Sequence, residues 1–350
     1  MRLVICCDGT WNKADQEKNG RPCPTNVIKL AYRVAKRPAN ATQVVFYDQG
    51  VGTGNFIDRV SGGAFGDGLV DNIFDAYRFL IANYHPGDEI FLFGFSRGAF
   101  TARSVAGMIR KCGIVKRTSI EQYVPALNLY RADDVHPNDK AAKDFRAAHA
   151  CDGAESPPIR FIGVWDTVGS LGIPLRGLRG LTRRKHVFHD TQLSSTVQTA
   201  RHALAIDEHR SPFEPTIWDE DKPHPDTIQM WFAGAHSDVG GGYAEPDLSD
   251  IALEWMLDEA QKAGLVLDEE VLAARPLAPN PLGTLHNSKT GLYRLTRGID
   301  RRITLGRTQQ VHSSVVARWE VLPDYRPRSL ADIVPRSREA RAGMTTPASN

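Results

Sequence analysis

The stretch Phe91-Leu92-Phe93-Gly94-Phe95-Ser96-Arg97-Gly98-Ala99-Phe100 decides how this chain folds. Apolar residues run without a break up to Gly94, so residues 89–95 read as a strand covered on both faces. A helical pattern over residues 99–111 begins almost at once. Glycine weakens a helix and a strand alike, so Gly94 and Gly98 belong to the bend between the two. A Gly-x-Ser-x-Gly on such a bend is a nucleophile elbow, in which the backbone turns sharply and the serine hydroxyl stands clear of the sheet.

Working outward, further apolar, β-branched or aromatic runs at residues 2–7, 43–47, 159–165 and 227–233 read as strands. Several are apolar at consecutive positions, as in a parallel sheet with helices on both faces. Helical spacing appears at residues 25–37, 68–84, 191–206 and 249–263, with Thr25 and Ser249 as candidate N-caps. Strands alternating with helices predict an α/β fold with a mostly parallel central sheet flanked by helices and peripheral insertions. We expect one domain over residues 1–334, insertions near 114–157, 169–189 and 265–308, and a polar tail at 335–350.

Composition narrows the function. The chain has 350 residues, 41% hydrophobic and 24% charged, as in soluble globular proteins. A net charge of +2 gives no global field for nucleic acid. Five cysteines without a CxxC pair argue against a disulfide framework and for a reducing compartment. The opening Met-Arg-Leu-Val-Ile-Cys-Cys is too short for a signal peptide or a membrane span, so a cytoplasmic protein is expected.

A serine nucleophile needs a base, and the base needs an orienting acid. On this architecture the expected chain order is serine, acid, histidine. Asp166 directly follows the strand at 159–165, and His236 follows the strand at 227–233 ahead of three glycines. Ser96, Asp166 and His236 thus sit at the ends of three successive expected strands. Asp238 is the rival acid and His312 the rival base; His202 and His209, on or just after the expected helix at 191–206, read as structural. For the oxyanion hole we expect the backbone N–H of Arg97 and that of Gly9 or Thr10, with Asp8 ordering that loop or meeting a polar end of the substrate.

Two other readings fall short. An apolar run before Asp8-Gly9-Thr10 resembles the start of haloacid-dehalogenase-type phosphatases, but Cys6 stands where their aspartate nucleophile would be. The glycine-rich loop from Gly50 to Gly54 lacks the Lys-Ser/Thr of a phosphate-binding loop, so Gly52 and Thr53 are assigned to the pocket rim. No residue spacing calls for a metal, and no cofactor is expected. A non-catalytic interaction module on the same fold is the alternative of a different class.

The blocks CDGTWN (7–12), YDQGVGTG (47–54), FGFSRGAFTARSVAGMI (93–109), FIGVWDTVGSLG (161–172), ARHALAIDEHRSPF (200–213) and FAGAHSDVGGGY (232–243), in that order, resemble the alpha/beta-hydrolase domain of the type VI secretion phospholipase effectors of the first class. The resemblance implies an esterase with Ser96 as nucleophile, Asp166 as acid and His236 as base, with phospholipids as substrates in the effector members. The leucine- and arginine-rich stretch 169–186 is then a candidate for peripheral membrane contact, its leucines toward acyl chains and its arginines toward anionic head groups.

Overall fold

The computed structural model describes residues 1–9, 12, 15–39, 41–50, 64–168, 193–220, 224, 226–295 and 298–334. The expected insertion at 169–189 and tail at 335–350 lie outside them. Strands are β1 (Arg2–Cys7), β2 (Glu17–Lys18), β3 (Arg21–Pro22), β4 (Gln43–Asp48), β5 (Glu89–Phe95), β6 (Ile159–Trp165), β7 (Val197–Ala205), β8 (Thr227–Phe232) and β9 (Gln309–Val311). Helices are α1 (Asn26–Arg33), α2 (Ala64–Asn83), α3 (Arg97–Cys112), α4 (Tyr123–Arg131), α5 (Lys140–His149), α6 (His236–Gly240), α7 (Asp247–Lys262), α8 (Glu269–Ala274) and α9 (Ser313–Val321).

Among the described residues seven strands form one sheet in the order β4-β1-β5-β6-β7-β8-β9, and every neighbouring pair is parallel. Side chains of β1 alternate between two cores, as the two-residue period of a strand requires. Leu3, Ile5 and Cys7 pack with α2 and α3 on one face. Val4 and Cys6 pack with Val27 and Leu30 of α1 and with Ile251, Leu253 and Met256 of α7 on the other. Both faces are therefore covered, which is why β1, β5 and β6 read as unbroken apolar runs. Cys6 is completely buried, and burial pushes its thiol far above the usual range. The chain leaves β1 for β4 on one side and returns to β5 on the other. That reversal makes a crevice at the carboxyl ends of β1 and β5, the usual ligand position in open parallel sheets.

Three expectations need correction. The helix expected over 191–206 is β7, hydrogen-bonded between β6 and β8. Ala200, Arg201, Ala203 and Leu204 favour a helix locally, but pairing on both edges and burial on both faces override that propensity. Ser96, Asp166 and His236 consequently do not close three successive strands, because β7 stands between Asp166 and the strand before His236. The cap expected at Ser249 is displaced: α7 starts at Asp247 with Pro246 at the N-cap, and Ser249 Oγ donates back to the Pro246 carbonyl at 3.0 Å. Proline suits a helix start, where its missing N–H leaves no bond unmade. Thr25 does cap α1, its Oγ1 accepting from Ile28 N at 3.4 Å. Among the described residues no helix is long and apolar enough to cross a membrane.

Candidate active site

Ser96 lies between β5 and α3 with φ 58° and ψ −120°. Left-handed backbone is costly for a residue with a side chain, about 1–3 kcal/mol. Among the described residues only Asn19, Ser96 and Asp166 combine a side chain with positive φ, so two of the three are site candidates. The flanking glycines are required by space. A Cβ on Gly94 would collide with the carbonyl of Gly98, and one on Gly98 with the carbonyls of Cys7 and Asp8. The end of β1 is thereby pressed against the elbow, and a Cβ on Gly9 would come within 3.2 Å of the Ser96 Cβ. Ser96 N donates to the Trp165 carbonyl at 3.0 Å, tying the elbow to the residue before Asp166.

Arg97 opens α3, so its N–H belongs to the first turn, where backbone donors face outward and favour negative charge. Burial lowers its guanidinium to about 10, while Tyr293 pulls the other way. The expected partner donor at Gly9 is taken: Gly9 N donates to Asp8 Oδ1 at 2.7 Å. Asp8 orders this loop. It is buried and also accepts from Thr25 Oγ1 at 2.6 Å and Tyr47 Oη at 2.7 Å. Thr10, Gly52, Thr53 and the stretch 169–186 lie outside the described residues.

Asp166 and His236 meet. Asp166 Oδ2 and His236 Nδ1 lie 2.6 Å apart, both side chains buried. Asp166 Oδ1 accepts from Ala205 N at 3.0 Å. Its other partner went unseen in the sequence: Arg301 grips both oxygens, Nη1 to Oδ1 at 2.5 Å and Nη2 to Oδ2 at 3.0 Å. Burial alone raises the Asp166 carboxyl, but the Arg301 charge, His236 and their hydrogen bonds outweigh it and hold the group well below the usual carboxylate range. An ionised Asp166 can only accept, so Nδ1 carries the imidazole proton and Nε2 is the ring nitrogen left to act as a base.

The imidazole is held by more than Asp166. His236 is the first residue of α6, and its N–H donates to Glu208 Oε2 at 3.3 Å. Glu208, completely buried, also accepts from Arg210 N, Nε and Nη2 and from Ser288 Oγ. The ring lies between Phe95 at 4.6 Å and Phe213 at 5.0 Å, centroid to centroid. Phe95 is the residue before Ser96, so the histidine packs directly on the elbow's strand. The Arg210 guanidinium covers the Phe213 ring at 3.6 Å, and Tyr293 meets the same ring edge-on at 6.0 Å.

The rivals go elsewhere. Asp238 pairs with His286, Oδ1 to Nδ1 at 2.6 Å, and accepts from the N–H groups of Ala235 and His286. His312 caps α9, its Nδ1 accepting from Ser314 N at 3.3 Å, and packs on Phe232. His202 is on β7 rather than a helix. It is buried, and its Nε2 accepts from Thr167 N at 3.2 Å. Burial first, then the Arg103 charge, pushes it down to about 3, so it is neutral at ordinary pH. His209 follows β7 with Nδ1 3.0 Å from the Ile299 carbonyl.

Comparison with known proteins supplies the family. The description "T6SS, Phospholipase effector Tle1-like, catalytic domain" matches residues 1–259. An uncharacterised protein of Saccharomyces cerevisiae, YEL023C, is 31% identical over 234 residues, which are 61% of this chain and 32% of the yeast protein. The chain therefore spans about a third of the length of that relative. Among solved structures, an uncharacterised protein from Pseudomonas aeruginosa aligns with TM-score 0.47 and 18% identity over 77% of this chain and 46% of that one. The Tle1 effector bound to the VgrG spike of the type 6 secretion system aligns with TM-score 0.48 and 17% identity, over 80% of this chain and 76% of that one. With well over half of its length matched in the order that its strand-end motifs follow, the chain belongs to the family of Tle1-like phospholipase effector catalytic domains.

Proposed function

We propose that this protein is a serine esterase that cleaves carboxylic ester bonds, lipid esters among them, through Ser96, His236 and Asp166. The observation that carries the reading is the 2.6 Å contact between buried Asp166 Oδ2 and His236 Nδ1, at the carboxyl end of the sheet, where the positive-φ Ser96 follows β5. In the reaction, His236 Nε2 takes the Ser96 Oγ proton as Oγ bonds to the ester carbonyl carbon. The carbonyl π electrons move onto oxygen, which is met by the Arg97 N–H. Since Gly9 N–H is engaged by Asp8, Thr10 is the second donor we assign. The intermediate collapses, the C–O bond to the alcohol breaks, and the imidazolium gives the departing alcohol its proton. Water then enters, loses a proton to Nε2 and attacks the acyl-enzyme. The acid departs and Ser96 recovers its proton. Asp166 stays ionised throughout, fixing the tautomer and stabilising the imidazolium.

Phospholipid as the substrate class rests on the family and on the aromatic rings of Phe95 and Phe213 against the base, with Tyr293 packed on Phe213. Ser96→Ala is expected to lower kcat for a p-nitrophenyl ester and for phospholipid vesicles by at least about 10³-fold while the circular dichroism spectrum is unchanged. Undiminished hydrolysis by the folded variant refutes the proposal.

A further inference from the structure

Arg301 stands outside the span 1–259 that carries the family match, in a stretch whose sequence reads as a peripheral loop. Its side chain is only 1% exposed, and among the described residues its one ion pair is with Asp166. The two terminal nitrogens reach three separate pieces of the chain. They bond both oxygens of Asp166 after β6, the Ala205 carbonyl at the end of β7 at 2.7 Å, and the Phe213 carbonyl at 2.6 Å. Phe213 is itself the ring that meets His236 edge-on. One planar guanidinium therefore fixes the acid, the strand beside it and the aromatic wall of the base.

We propose that Arg301 is a positioning residue for hydrolysis, holding Asp166 as an oriented carboxylate and setting the charge against which His236 accepts the Ser96 proton. The inference rests on the serine-esterase reading above. A bidentate arginine suits the task because its fork matches both carboxylate oxygens, which a lysine cannot do. It also keeps a buried carboxylate from being left uncompensated.

With a lone aspartate, an acid–histidine pair carries −1 at rest and 0 when the imidazole is protonated. With Arg301 included, the values are 0 and +1. The charged groups around the imidazole are Asp166 after β6, Arg301 from the segment before β9, Glu208 and its partner Arg210 after β7, Arg97 at the elbow, and Asp238 with His286 on and beside α6. Removing the Arg301 cation lets the Asp166–His236 pair take up a proton more readily, whichever partner holds it. Since the working base must be unprotonated, activity then fades at a higher pH than in the native protein.

The test uses the full chain and the pH dependence of kcat/KM for a p-nitrophenyl ester. In Arg301→Gln we expect kcat to fall about 100-fold with KM within about threefold, and the acid limb to move up by about one pH unit. Arg301→Lys keeps the charge and should recover about tenfold of that loss with the limb near its native position. An unmoved limb in Arg301→Gln, or loss of fold in both variants, overturns the proposal. Should only the Gln variant fail to fold, Arg301→Lys decides: reduced kcat at native KM supports the role, and native kcat refutes it. Ser96→Ala run alongside separates the two claims. A dead Ser96→Ala with an unmoved limb sinks only the arginine, whereas an active Ser96→Ala sinks the esterase reading.

Discussion

Asp166–His236 and Asp238–His286 are each closed by a 2.6 Å contact between a carboxylate oxygen and a ring Nδ1, and α6 supplies the histidine of the first pair and the aspartate of the second. Around the first pair, Arg301 supplies a cation and the elbow serine is the neighbour of Phe95, on which the ring packs. Around the second, Tyr243 stacks on the His286 ring at 3.8 Å and Glu245 stands 3.5 Å from Nε2. The carboxyl groups respond in opposite directions. Burial raises both, but for Asp238 the backbone donors and His286 fail to reverse it, whereas for Asp166 the arginine tips the balance downward. The pair distance is thus no guide to chemistry; the surrounding charge is. Asp238 acts as a latch, joining the N-terminus of α6 to the loop at His286.

Substitutions can break this comparison. The largest effect belongs to Asp166→Asn, which removes the acceptor that selects the productive tautomer; ester hydrolysis should drop by roughly 10⁴-fold in kcat. By contrast, Asp238→Asn should change kcat by less than about tenfold while lowering stability by about 1–3 kcal/mol in urea unfolding, because one of the two oxygens that meet Ala235 N, His286 N and the His286 ring becomes an NH2 donor. If the two effects were exchanged, the assignment of acid and latch would be reversed.

The subtlest contrast lies in how stability depends on pH. Asp166 has a folded value below its unfolded one, so its contribution is present above about pH 4 and lost on acidification through the folded value. Asp238 has a raised folded value, so its contribution is complete below about pH 4 and lost as pH climbs through that value. From pH 3 to pH 6, wild type should gain stability relative to Asp166→Asn and lose it relative to Asp238→Asn. Urea melts at the two pH values check this, and a shared direction would contradict it.

Much of this was legible in the sequence, for identifiable reasons. Strands β1, β5 and β6 are covered on both faces, so they announce themselves as apolar runs, and Ser96, Asp166 and His236 stand at strand ends where a parallel sheet gathers side chains. β7 was hidden because Ala200, Arg201, Ala203 and Leu204 favour a helix in isolation; its strand state comes from pairing with β6 and β8. Arg301 was hidden for a different reason. Its contact with Asp166 spans 135 residues, and beside Arg302 in a polar stretch it looks like a solvated surface charge. Glu208 likewise reads as one member of Asp-Glu-His-Arg, and only burial identifies it as the acceptor for His236 N–H. Strand ends can be read locally, but the groups that tune them arrive from far along the chain.

On the proposed mechanism one hydroxyl, at the bend after β5, is made nucleophilic by His236. A fluorophosphonate probe followed by peptide mass spectrometry tests this most directly. A single adduct on Ser96 is expected, formed rapidly by the native protein and slowed by about 10³-fold or more in His236→Ala. An adduct on another residue, or labelling of Ser96 at the same rate without His236, would contradict it.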